Sequence, residues 1–153
     1  MLITKIKVQK IGITITYTQP TETGVPDTIT VFSEEDARPA FYDALNSLVD
    51  DVVNLCLLDL EGWENVAVSG VTLKHKEEMG VVITAQNKVE NVNSPVIINT
   101  PYFIADANLT KKLEEVSEEA VAFVRGARAQ ASLFDGNDGK LDEIAKELAE
   151  AMS

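Results

Sequence analysis

Apolar and polar residues alternate from Leu2 to Tyr17, with one change of phase. Ile3, Ile6, Val8, Ile11, Ile13 and Ile15 are interleaved with Lys5, Lys7, Lys10, Thr14 and Thr16. β-Branched residues dominate, so this stretch predicts one long strand, or two short ones broken near Lys10-Ile11-Gly12. The segment from Thr18 to Asp27 holds Pro20, Gly24 and Pro26 and predicts a loop. Thr28 to Phe32 predicts the returning strand of an antiparallel hairpin with a polar tip. Val66 to His75 and Val81 to Val89 predict a second hairpin around Lys76 to Gly80, with Gly80 available for a positive φ. Val96-Ile97-Ile98 predicts a short strand, apolar enough to be buried. Pro95 and Pro101 bound it and cannot donate to a ladder, which places it at a sheet edge.

The period changes twice from two to about 3.6. Phe41, Leu45, Leu48, Val52 and Leu55 fall three or four apart, and Val49, Val53 and Cys56 widen the stripe, so a helix is expected from about Asp36 to Leu57. Ser33 with Asp36 three residues later reads as its cap, and Pro39 fits only its first turn. From about Leu109 a second helical stripe runs through Leu113, Val116, Ala120, Phe123, Val124 and Ala127. Glu114, Glu115, Glu118 and Glu119 take its wet side, and Arg125 and Arg128 lie in the later turns, where the dipole favours cations. Asp135 to Gly139 then breaks the chain, and Leu141, Ile144, Leu148 and Met152 form a last short amphipathic pattern. The expected architecture is α+β: an antiparallel sheet of two hairpins plus an edge strand, packed by two main helices. Residues 1–134 make one domain, and residues 135–153 a polar break with a short C-terminal helix.

Composition narrows the function more by exclusion than by indication. A chain of 153 residues with 45% apolar content can bury a core without disulfides. It has no membrane-length apolar run and no signal-peptide pattern at Met1 to Lys5, so a cytoplasmic location is expected, one that also suits the single Cys56. The net charge of −12 argues against a surface that tracks duplex phosphates, while leaving room for a local basic groove. The 15 acidic and 7 basic residues up to Leu109, against 10 and 6 after it, spread that charge along the whole chain.

Candidate chemistry is sparse. One His and one Cys cannot build a zinc site of those ligands, and no phosphate-binding glycine loop or nucleophile elbow occurs. Asp135 to Asp142 has its acids and glycines at the wrong offsets for a calcium loop. His75 shares parity with Val71 and Leu73 and reads as a solvated or packed residue. Cys56 reads as a small core residue. Trp63 either covers one edge of the core or offers a stacking face. Paired carboxylates among the 25 acidic residues leave a carboxylate enzyme open. The expectation is a protein without enzymatic activity and without a cofactor or metal.

One short string stands apart. Gln130-Ala131-Ser132-Leu133-Phe134 resembles the motif by which bacterial proteins bind the DNA polymerase sliding clamp. That resemblance implies that Gln130 makes polar contacts at the edge of a pocket, with Ser132 in the small or polar middle, while Leu133 and Phe134 fill it. A few apolar anchors can carry most of a peptide's binding energy. Ala131 stands where the strongest versions of the motif carry Leu. The alternative is that the second helix runs on to Phe134, since Ala127, Ala131 and Phe134 continue its spacing, and buries Leu133 or Phe134 in the core or a subunit interface.

More broadly, Gly70 to Gln86, Val92 to Phe103 and Gly126 to Phe134 resemble small proteins of unknown function carried by phages and prophages. This resemblance covers most of the chain, brings no catalytic motif, and implies a role in phage replication or in disabling a host system. Three partner classes follow: the host sliding clamp; a host nucleic-acid-binding or defence protein inhibited by an acidic face; and single-stranded DNA. The last requires Lys5, Lys7, Lys74 and Lys76 to share a sheet face with an aromatic such as Tyr17 or Trp63. Homo-oligomers are open through the long helix or the terminal one.

Overall fold

The computed structural model describes residues 1–56, 65–88 and 93–129. The chain forms an α+β fold in which one antiparallel sheet packs against helices. Its first strands are β1 (Leu2–Gln9), β2 (Gly12–Gln19) and β3 (Asp27–Ser33), followed by α1 (Pro39–Asn46) and α2 (Val49–Leu55). Then come β4 (Val66–His75), β5 (Met79–Asn87), β6 (Val96–Asn99), β7 (Phe103–Ile104) and α3 (Ala107–Val124). The strand order is β3-β2-β1-β4-β5-β6, with β7 also pairing β5. No helix among the described residues is long and apolar enough to cross a membrane.

Alternation decides which face of the sheet is covered. Ile3, Ile6, Ile13, Ile15, Val71, Leu73, Val81 and Ile83 point to one side and are almost wholly buried. There they meet Phe41, Leu45, Leu48 and Val52 of the first helical region and Leu109, Leu113, Val116 and Phe123 of α3. Phe41 and Phe123 touch at a ring separation of 5.8 Å. Two ion pairs tie the helix layer together. Arg38 bonds both carboxylate oxygens of Glu119 at 2.8 Å, and Lys112 reaches Asp51 at 2.9 Å. The hydrogen bonds that Arg38 donates to Glu119, and secondarily the charge of that carboxylate, hold the guanidinium above its ordinary pKa.

Of the two readings left open for Leu2 to Tyr17, the fold takes the two-strand one: the chain reverses at Lys10-Ile11 and β2 lies back on β1. Other sequence expectations are corrected. The helix expected from Asp36 to Leu57 is two helices. At the break the amide of Leu48 donates to the carbonyl of Leu45, and the Ser47 hydroxyl bonds the carbonyl of Ala44 at 2.6 Å. Leu55, placed on the apolar stripe, is exposed. Ser33 is not its cap: it ends β3, and its hydroxyl accepts only the amide of Glu35. The helix starts at Pro39 after Arg38, with no side-chain cap.

The second half holds three more corrections. β6 is an edge strand, as its prolines imply, but Val96 and Ile97 are exposed rather than buried, since only β5 lies beside them. Gly80 has no positive φ; its missing side chain instead makes room for Tyr102. The helical stripe that continues through Ala127 does not extend α3. The helix is capped at its start by the Asp106 carboxylate, which accepts the amide of Leu109, and closes at Val124. Gly126, at φ +109°, reverses the backbone, with Gly126 N–H bonded to Phe123 and Ala127 N–H to Ala122. This paired closure satisfies the last carbonyls and ends the helix. Arg125 is the residue after the helix, and Arg128 lies beyond it.

Candidate functional site

With every described helix on one face, the other face of the sheet is uncovered among the described residues. Strand registers show what it carries. Phe32 of β3 faces Thr14 of β2, Thr14 faces Lys7 of β1, and Lys7 faces Gly70 of β4. The row continues through Thr84 of β5 to Asn99 of β6. It therefore crosses the sheet from edge to edge, about 24 Å at ordinary strand spacing. A second row runs Thr30, Thr16, Lys5, Thr72 and Val82. Neighbouring hydroxyls lock these rows. Thr16 and Thr30 share a hydrogen bond of 3.1 Å, and Thr84 donates to Asn99 at 2.7 Å.

The charge of this face is one-sided. Lys5, Lys7 and Lys74 project from it, all exposed, and none enters an ion pair among the described residues. The two rows contain no Asp or Glu. Glu77 and Glu78 lie in the β4–β5 turn, off the rows. The helix layer is opposite in sign: Asp43, Asp50, Asp51, Glu114, Glu115, Glu118 and Glu119 stand against Lys111 and Lys112 on α1, α2 and α3. In a chain of net charge −12, the two rows across this face thus carry no acid; Glu77 and Glu78 border it only at the turn, near Tyr102.

Between Lys5 and Lys7 on one side and Ile97 and Asn99 on the other, the face hollows into a groove of about 480 Å³. Gly70, Thr72, Val82 and Thr84 also line it. Aromatic rings stand at two places on the same face. Phe32 is 48% exposed at the β3 edge, close over Gly12. Tyr102 is 47% exposed and lies over Gly80, the cross-strand partner of Lys74.

These positions match the pattern expected of a single-strand binder only in part. Lys5, Lys7 and Lys74 share a face, whereas Lys76 sits in the turn. Tyr17 lies on the opposite, buried face, 8% exposed, and Trp63 is outside the described residues. Phe32 and Tyr102 were not singled out from sequence. The signal for Phe32 was present, since it shares the parity of Thr28 and Thr30 rather than that of Ile29 and Val31.

The other candidates resolve into structure. His75 Nε2 lies 2.6 Å from the carbonyl of Ile3, so that nitrogen carries the proton and ties β4 to β1. Beside it Leu2, Val121 and Ala122 help line a mostly apolar hollow of about 490 Å³. Cys56 ends α2, half-buried against the core. No cluster of three or more metal-ligating side chains occurs among the described residues.

Gln130, Ser132, Leu133 and Phe134 lie outside the described residues, as does the expected terminal helix. The segment leading to them is well tied. Ala129 donates its amide to the carbonyl of Asp36 at 2.9 Å. Arg128 stacks over the Phe123 ring at 3.7 Å and donates to the carbonyls of Phe123 and Ala127. The chain therefore leaves the described fold beside the start of α1, at a hollow lined by Asp36, Ala37, Pro39, Tyr42 and Asp43. No family model matches the chain, and no curated protein or solved structure matches it either.

Proposed function

We propose that this chain is a non-enzymatic interaction protein that docks on the bacterial replication sliding clamp through residues 130–134. The observation that carries this reading is the residue order itself: Gln130, a small pair, then Leu133 and Phe134. The end of α3 supports it. The helix whose spacing would have absorbed Leu133 and Phe134 closes at Val124, behind a glycine in the left-handed region. The string then begins one residue after Ala129, whose amide is bonded to the fold. In this reading the α+β domain carries the motif, Leu133 and Phe134 fill an apolar pocket on the clamp, and Gln130 bonds its rim. Ser132 keeps the middle narrow. Peptides that anchor two apolar side chains in a preformed groove need no rearrangement of the domain that bears them.

The test is binding of the full chain to a purified bacterial sliding clamp, beside the double variant Leu133→Ala, Phe134→Ala, with circular dichroism to compare their folds. The parent is expected to bind, and the folded variant to lose at least about tenfold in affinity, as hot-spot truncation does. A parent that does not bind removes the clamp as partner. A variant that unfolds places Leu133 and Phe134 in the core and removes the motif reading.

A further inference from the structure

We infer that the uncovered face of the sheet binds single-stranded nucleic acid, with Lys5, Lys7 and Lys74 on backbone phosphates and Phe32 stacking a base. This does not rest on the clamp reading, since it uses a different surface and different residues. Three observations converge on it. The first is charge: this face holds three exposed lysines without ion-pair partners among the described residues, and its two cross-sheet rows hold no acid, in a protein of net charge −12. A polyanion is attracted here and repelled by the helix layer, so the charge pattern sets both the ligand class and its side of approach.

The second is the exposed ring in line with the cations. Phe32, Thr14 and Lys7 occupy consecutive places in one cross-strand row. A strand laid along β1 can set a phosphate at Lys7 and turn a base along that row, across two strand spacings of about 10 Å in all, onto Phe32. Lys5 and Lys7 are about 6.8 Å apart along β1, close to the spacing of neighbouring phosphates on an unstacked strand. Threonine hydroxyls between them offer donors and acceptors to any base edge. The third is shape. The groove between β1 and β6 spans three strand spacings, about 14 Å, wide enough for one extended strand. A duplex would hide its bases from Phe32, and three lysines neutralise too few phosphates to hold it by charge alone.

The experiment is fluorescence anisotropy of a labelled oligothymidylate of about 12 nucleotides, titrated with the full chain at low salt. Competitors are the matched duplex and polyglutamate. Binding is expected to fall with salt at a logarithmic slope near −2, as about three contacts to a single strand require. Lys5→Gln with Lys7→Gln lowers the slope to about −0.7, and Phe32→Ala weakens binding at least about fivefold. Lys111→Gln on the helix layer leaves both unchanged. The inference is overturned by absence of binding, by equal affinity for the duplex, by equal competition from polyglutamate, or by indifference to Lys5, Lys7 and Phe32. The Leu133→Ala, Phe134→Ala variant keeps oligonucleotide binding, so loss of the clamp reading and loss of this one are separable.

Discussion

The hydroxyl of Thr100 accepts the amide hydrogen of Ile83 at 2.9 Å, while the amide of Thr100 donates back to the carbonyl of Ile83 at 2.9 Å. One residue thus closes the β5 ladder between β6 and β7, its side chain standing in for a strand carbonyl. Both residues are buried. Replacing Thr100 with Val keeps the shape and deletes the acceptor, leaving the Ile83 amide without a partner. An unsatisfied buried donor costs about 1–3 kcal/mol. Thr100→Val is expected to lower urea stability by that amount, and Thr100→Ser by less because the hydroxyl remains. Equal losses would mean that the methyl group, not the hydrogen bond, holds this edge.

Gly80 and Tyr102 make a second dependent pair. A Cβ on Gly80 would stand 2.0 Å from the Tyr102 hydroxyl and 2.4 Å from the ring carbon that bears it. The colliding atoms belong to the far end of a half-exposed side chain, so the ring can swing out. Gly80→Ala is therefore expected to displace Tyr102 and cost under about 1 kcal/mol. The ring resonances of Tyr102 report the movement. In the double variant Gly80→Ala, Tyr102→Ala the penalty disappears, giving a non-additive cycle. An additive cycle would show that the two residues do not compete for space.

What was legible in the sequence follows from what is local. The period-two pattern at Ile13 and Ile15 names the buried face, because each side chain's direction is set by its own position in the pleat. Leu113, Val116, Ala120 and Phe123 were legible for the same reason at helical period. Breaks were not. Leu45, Leu48 and Val52 keep their spacing across the interruption at Ser47-Leu48, so periodicity passes over it. Burial of Val96 and Ile97 was misread because hydropathy cannot say how many neighbours a strand has. The β1–β4 pairing joins Ile6 to Val71 across 65 residues, and no local signal encodes it.

The charge pattern shows the same limit. Along the chain, acids and bases are mixed, and nothing in that order marks a basic surface. Alternation sends Lys5 and Lys7 to the side opposite Ile6, and the β1–β4 register then sets Lys5 beside Thr72 and Lys7 beside Gly70. Helical period gathers Glu114, Glu115 and Glu118 on the far side. Segregation of charge is thus a product of the fold, whereas the string at residues 130–134 is read from its order alone.

Gly126 ends α3 in a conformation that disfavours a side chain. A left-handed backbone at an alanine costs about 1–2 kcal/mol. Among the described residues nothing lies within 4 Å of a Cβ there, so the penalty is conformational. Gly126→Ala is expected to lower stability by that amount, and Gly126→Asn by less, because Asn tolerates this region. Thermal or urea melting distinguishes the two. Equal stability of the parent and the alanine variant would show that α3 does not close at Val124.

Arg128 fixes the direction in which the chain leaves the fold. Its guanidinium lies on the Phe123 ring and donates to carbonyls at the end of α3, where the helix dipole favours a cation. Its Nε stands 3.3 Å from a Glu35 carboxylate oxygen without a hydrogen bond to it. Glu35 is largely exposed, so that pair contributes little. Arg128→Met keeps an apolar stem over Phe123 and removes the charge and the donors, at an expected cost of about 1–2 kcal/mol, mostly from the ring contact and the carbonyl bonds. The loss should be local. The bond from Ala129 N–H to the Asp36 carbonyl is the next tie along the chain, and its amide is expected to exchange with deuterium about tenfold faster in the variant. Amides of β1, β4 and β5 keep their protection. If Ala129 exchanges at the parent rate, Arg128 does not hold the exit, and the backbone closure at Gly126 alone directs the chain toward residues 130–134.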